Sequence, residues 1–242
     1  MKYKRLLFLF FSFCVVLKFY PDKKNFFSTS PVFLIHTIHS KLTKDDSKSD
    51  DVYKFIMHSS SDEIYKDTSY ATGSSLDLNI DLLYFSFAFA FPLKLNTKFL
   101  NFETKLASHR SIITDLEVGL CYKTFEKKPY NLLFQLGLGF GAVHMNLLGY
   151  TIEKMQDIAY TRTDIMMGLG INVLFTYSFT KLLGIYVGLG DMFYFMNIRT
   201  YRLVKVGDRE FIFEEKLKSE NFNLVNTFAN SLKFKLGLGF AF

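Results

Sequence analysis

From Phe85 to Phe91 the chain reads FSFAFAF, so that Phe85, Phe87, Phe89 and Phe91 fall on one side and Ser86, Ala88 and Ala90 on the other. A period of two is the signature of a β-strand; a helix would scatter these rings around its axis. The pattern recurs. Ile112, Thr114, Leu116, Val118, Leu120 and Tyr122 oppose Asp115, Glu117, Gly119, Cys121 and Lys123. Leu132, Phe134, Leu136, Leu138 and Phe140 oppose Gln135, Gly137, Gly139 and Gly141, and Ile165 to Tyr177 alternate with Asp164, Gly168, Gly170 and Asn172. At the end of the chain Leu232, Phe234, Leu236, Leu238, Phe240 and Phe242 oppose Ser231, Lys233, Lys235, Gly237 and Gly239.

The polarity of the two faces selects the fold class. A soluble sandwich would carry a thoroughly polar second face. Here that face holds repeated glycine with isolated charges, which suits a narrow interior. The other face is continuously apolar for nine or more residues, matching the roughly 9 to 11 of a strand that crosses a bilayer. Backbone polar groups in hydrocarbon must all pair internally, so such strands close into a barrel. The expectation is an all-β, antiparallel, transmembrane up-and-down β-barrel. No apolar run reaches the roughly 20 residues of a membrane helix, and a mean hydropathy of only +0.13 fits a chain whose charges are distributed throughout.

The remaining organisation follows. Lys2, Lys4 and Arg5 precede the apolar stretch Leu6 to Leu17, the layout of a secretory leader, and Lys18 and Pro21 cut the run short for an anchor. Residues 1–24 are read as the signal peptide and 25–242 as one barrel domain. Phe13 before Cys14 is bulkier than the small residue a lipidation site prefers. Loss of the leader leaves Cys121 alone, so no internal disulfide is expected. Short turns at 126–130 and 179–182 alternate with long segments at 41–74, 147–158 and 198–223, the asymmetry of outer-membrane barrels. The count is eight strands, at 31–40, 75–91, 94–106, 111–125, 130–146, 159–178, 182–199 and 224–242, with ten as the alternative if VYKFIM (52–57) contributes. Gly207-Asp208 between two alternating runs signals a hairpin.

The terminal residues carry a resemblance. Lys235, Gly237, Phe240 and Phe242 form a polar-x-Gly-x-x-aromatic-x-aromatic pattern at the carboxyl end, similar to the β-signal of bacterial outer-membrane proteins. In plan the chain resembles the small barrels of the OmpA transmembrane domain, OmpX and OmpW. The resemblance implies an outer-membrane location and handling by the barrel assembly machinery.

No chemistry-bearing motif stands out. The four Gly-Leu-Gly triplets lie inside strands, with no following helix as a dinucleotide site requires. His109 with Ser108 and Ser111, and His144, lie at rim height without a family motif. In His36-x-x-His39, residues three apart on a strand point to opposite faces, which argues against a metal pair. The expectation is a protein without catalytic residues, metal or cofactor. Asp115, Glu117, Lys123, Lys233 and Lys235 are read as a lumen polar network, since an eight-stranded interior is only wide enough for side chains to fill. The formal charge of +6 on an exported chain points to anionic glycans, lipid headgroups or host proteins, with nucleic acid excluded by location. Lys154, Arg162, Arg199, Arg202, Lys205 and Arg209 are the candidate loop contacts. Three functions remain open: presentation of loops for adhesion, ligand binding or envelope integrity; a narrow channel for small or hydrophobic solutes; and lipid modification.

A closed barrel resists detergent until heated. Protein from isolated outer membranes is expected to change gel mobility on boiling, and an unshifted band from a soluble fraction would contradict the barrel.

Overall fold

A computed structural model describes residues 25–44, 63–97, 102–107, 111–124, 129–151, 156–206, 209–210, 216–217 and 222–241. The strands are β1 (Phe26–Lys44), β2 (Glu63–Ile80), β3 (Leu83–Thr97), β4 (Phe102–Leu106), β5 (Ile112–Thr124), β6 (Tyr130–Thr151), β7 (Gln156–Ser178), β8 (Leu183–Val206), β9 (Arg209–Glu210), β10 (Lys216–Leu217) and β11 (Phe222–Ala241). Eight of them, β1, β2, β3, β5, β6, β7, β8 and β11, pair antiparallel in a closed ring. The ring closes where β1 meets β11, with Phe26 opposite Ala241, so both ends of the described chain lie at one rim. That rim is called lower here.

Closure has a measurable pitch. Cross-strand partners lead from Phe27 through Leu78, Phe85, Val118, Leu138, Leu169, Phe193 and Asn230 back to β1 at Thr37, ten residues further on. A stagger of ten over eight strands tilts them strongly and keeps the interior narrow. The outward face is the apolar one: Leu138 is 55% exposed and Leu236 is 62% exposed. The inward face is mostly buried.

Several boundaries differ from the sequence reading. The run 75–91 is two strands: Asp81 adopts a left-handed backbone (φ 53°) and reverses the chain between Ile80 and Leu83. Aspartate tolerates that conformation better than most residues. The outward apolar positions accordingly switch from Leu76, Leu78 and Ile80 to Leu83 and Phe85. Residues 63–74, assigned to a loop, are strand. Their alternation is faint in the sequence because the outward row there is Tyr70, Thr72 and Ser74. The expected strand 94–106 is the end of β3 followed by the separate β4, which pairs with the top of β6.

The upper loops are correspondingly shorter than expected. Pairing of β6 with β7 continues to Thr151 and Gln156, and β8 runs to Val206. The 24 residues of β8 exceed twice the roughly 9 to 11 that cross a bilayer, so its upper half stands above the belt. Val206 pairs with Arg209 and Lys205 with Glu210, the register of a hairpin around 207–208. The lower turn at 179–182 is tight: the Thr180 hydroxyl accepts the backbone N–H groups of Leu182 and Leu183. The leader, VYKFIM and Phe242 lie outside the described residues.

Glycine on the inward face makes room for large side chains from strands two places away in the ring. A Cβ on Gly141 would meet the Tyr194 ring, at 2.5 Å from Oη and 2.7 Å from Cζ. One on Gly170 would meet Glu117 Oε2 at 2.5 Å. Gly141→Val is expected to displace the Tyr194 ring and destabilise the barrel by about 1–3 kcal/mol, read as a lower urea midpoint for folding into vesicles. Ala142→Val, on the outward face, is the control and should change little.

Candidate functional site

The inward rows stack in layers. Down β7 they run Arg162, Asp164, Met166, Gly168, Gly170, Asn172 and Leu174, that is, charged, apolar, small, polar and apolar again. Down β5 they run Ile113, Asp115, Glu117, Gly119 and Cys121. An upper apolar cluster around Leu34, Ile38, Ile113, Val143 and Met166 and a lower one around Tyr84, Cys121, Leu133, Leu174 and Tyr186 enclose a polar layer.

That layer holds buried ion pairs in two tiers. Lys233 on β11 pairs with Glu117 on β5, which lies four strands away either way around the ring, so this one bridge spans the lumen. Lys233 Nζ also sits 3.3 Å from Asp115 Oδ2. Glu117 Oε2 accepts Asn172 Nδ2 at 2.7 Å and the Tyr84 hydroxyl at 3.2 Å, while Asp115 accepts the Tyr194 hydroxyl. One layer down, Lys235 Nζ donates to Asp77 Oδ1 at 2.6 Å and Ser86 Oγ at 3.0 Å. The Tyr186 hydroxyl reaches Asp77 Oδ2 at 3.4 Å, and Gln135 Nε2 donates to Asn79 Oδ1 at 2.7 Å. All of these groups are buried. Buried charges of opposite sign at hydrogen-bonding distance recover part of the solvation they lose, and removing one partner leaves the other uncompensated.

A second diametric bridge caps the upper apolar cluster. Arg162 on β7 pairs with Asp67 on β2, again four strands apart, and its Nε lies 3.1 Å from Asp164 Oδ2. The Asp164 carboxylate also accepts Asn197 Nδ2 at 3.3 Å. Arg162, expected on an external loop, is therefore a strand residue buried in the lumen. Inward parity decides this: it falls in the same row as Asp164 and Met166.

The structure brings Asp115, Glu117, Lys233 and Lys235 into the lumen, and Lys123 lies half-buried at the lower end of β5. Arg199, Arg202 and Lys205 lie on the upper part of β8 and Arg209 in β9; Lys154 is outside the described residues. Of the terminal pattern, Gly237 packs against Ser30 and Phe240 faces outward; Phe242 is outside the described residues. His36 is buried with Nδ1 2.7 Å from Ser231 Oγ, whereas His39 points outward beside Phe228. His144 faces outward and shares a 2.9 Å hydrogen bond with Thr163; His109 is outside the described residues. Among the described residues no group of three or more metal-ligating side chains occurs. The sequence reading missed Asp67, Asp77, Tyr186 and Tyr194. Tyr186 and Tyr194 could have been found, since they share the inward parity of Gly188 and Gly190.

A family model described as "Domain of unknown function (DUF2715)" matches residues 39–242. No curated protein matches the sequence. Among solved structures, the chain is similar to the outer membrane protein OprG from Pseudomonas aeruginosa (12% identity, 90% of this chain and 96% of that one, TM-score 0.48). It is similar to a major outer membrane protein from Thermus thermophilus (12% identity, 88% and 99%, TM-score 0.48). It is also similar to Neisserial surface protein A (12% identity, 88% and 99%, TM-score 0.35).

Replacing Lys233 with Met strands Asp115 and Glu117 without their shared ammonium and is expected to destabilise the barrel by about 3–5 kcal/mol. Adding Glu117→Gln should recover part of that loss. A double-mutant cycle by urea-dependent folding in vesicles measures the coupling, and strict additivity would mean that the two side chains act independently.

Proposed function

The chain belongs to the DUF2715 family, and we propose that its barrel is a closed, non-catalytic outer-membrane anchor that presents its upper loops for adhesion or ligand binding. The observation that supports this reading is the lumen. Two diametric ion pairs, Lys233–Glu117 and Arg162–Asp67, cross it at different heights with an apolar cluster between them. Side chains thus fill the interior of a narrow eight-stranded ring. A barrel filled in this way is rigid and offers the outside chiefly its rim and loops, where binding residues concentrate in such folds.

The upper extensions of β6, β7 and β8 rise above the membrane belt, and the segments 45–62 and 207–221 are the longest that join barrel strands at that end. Lys154, Arg199, Arg202, Lys205 and Arg209 are among the basic residues of this region, and anionic glycans are the ligand class their charge favours. Arg162 is withdrawn from that set by its burial.

A second reading rests on the charge count of the lumen. Lys233 and Lys235 meet three carboxylates, Asp77, Asp115 and Glu117, an excess of acceptors that would favour cations if the network opened. Discrete cation-selective conductance in single-channel recordings would support it.

The leading reading is tested with the protein in phosphatidylcholine vesicles and heparin as the sulfated probe. Replacing Lys154, Arg199, Arg202, Lys205 and Arg209 by Gln should weaken heparin binding by about tenfold or more, with a shallower salt dependence, while heat-modifiable mobility is retained. Unchanged affinity would overturn the assignment of these residues.

A further inference from the structure

One carboxylate breaks the apolar exterior at mid-height. Asp191 sits on the outward face of β8, with Ile185, Val187 and Leu189 outward below it and Phe193, Phe195 and Ile198 outward above. Its direct cross-strand neighbours are Ile171 on β7 and Leu232 on β11. Among the described residues its side-chain partner is Asn230 of β11, whose Nδ2 lies 3.4 Å from Asp191 Oδ1. A carboxylate turned toward acyl chains is unfavourable, and polar groups at this depth are ordinarily met by protein.

The neighbouring wall repeats the anomaly more weakly. Thr37 on β1 and Thr72 and Ser74 on β2 also point outward; following the register from Ser74, the wall meets Thr114 on β5 but only Ala142 on β6 and Ile165 on β7. Exposed Phe228 and Phe234 flank the Asp191–Asn230 pair and supply apolar contact area.

The pair retains hydrogen-bonding capacity of both kinds. Asn230 carries two N–H groups and gives one to Asp191; the carboxylate can accept several. A patch holding donor and acceptor together is self-complementary, the condition for a two-fold contact between identical surfaces. A two-fold axis along the membrane normal keeps every residue at its own depth, so Asp191 and Asn230 of one copy meet the same residues of the other. We propose that β8, β11, β1 and β2 form the face on which a second copy of this chain docks within the membrane, each Asn230 donating its remaining N–H to Asp191 of the other copy. Among the described residues no lysine or arginine faces outward at this depth, so the amide is the donor available to answer the carboxylate.

The test uses the full chain with both native cysteines replaced by serine, reconstituted into phosphatidylcholine vesicles and oxidised with copper phenanthroline. Leu232→Cys should give a cross-linked dimer and Leu138→Cys, on the far wall, should not. In detergent, sedimentation equilibrium of Asp191→Leu and Asn230→Leu should show dissociation about tenfold or more easier, the effect of losing two membrane hydrogen bonds. Both variants should keep heat-modifiable mobility, because neither touches the lumen. A monomer in every sample, equal cross-linking through Leu138→Cys, a dimer indifferent to both leucine variants, or cross-linking of Leu232→Cys only to a different protein in native membranes would each overturn the proposal. None of these results depends on the loops or on heparin.

Discussion

Every other feature of this molecule follows from the demand that no backbone N–H or C=O remain unpaired in hydrocarbon. A sheet has two edges, and in a bilayer the last strand must return to the first; here β11 returns to β1. The register at which it does so, ten residues along, sets the tilt and therefore the bore. Once the bore is narrow, inward side chains from opposite walls collide or bond. Lys233 and Arg162 each reach a carboxylate on the far side, and glycines stand where a Cβ would strike Tyr194 or Glu117.

The lumen is consequently ordered by depth. Apolar clusters above and below isolate the ionic layer from bulk water, which strengthens each bridge and raises the penalty for breaking one. Charges that would be tolerable individually on a wet surface become mutually dependent. The outside has the opposite logic, since lipid offers no partner to a polar group. A barrel with a uniform belt can face lipid on all sides. This one is interrupted on β8 and β11 by Asp191 and Asn230, and that break distinguishes one side of the molecule from the other.

How much was legible beforehand depended on whether a strand had one largely apolar face. In β5, β6, β7, β8 and β11 one face is apolar but for single residues such as Thr114, Asp191 and Asn230, and period two located them within a few residues except at their upper ends. β2 has no such face: Asp67, Ser69, Ser75 and Asp77 inward meet Tyr70, Thr72 and Ser74 outward, so both faces look like loop. The turn at Asp81 was recorded only as a change of phase in the apolar row. The upper extensions were misread for a related reason, because above the lipid neither face must be apolar and pairing alone holds them. Four of the five charges of the ionic layer stand on an otherwise small face in the sequence; Asp77 was hidden with β2.

The sequence by itself determined that the chain would form tilted strands with a lipid-facing row and close on itself, because alternation at that length leaves the backbone no other way to pair. It also determined which charges in the clear strands point inward, since parity along a strand is a local property. Only the tertiary structure decided which of those charges meet. Partners such as Lys233 and Glu117 are distant in sequence and on opposite walls, and their encounter depends on the stagger accumulated around the whole ring. The same accumulated stagger set Arg162 against Asp67 in the lumen, while the register of the neighbouring strands β8 and β11 brought Asn230 to Asp191 on the outside.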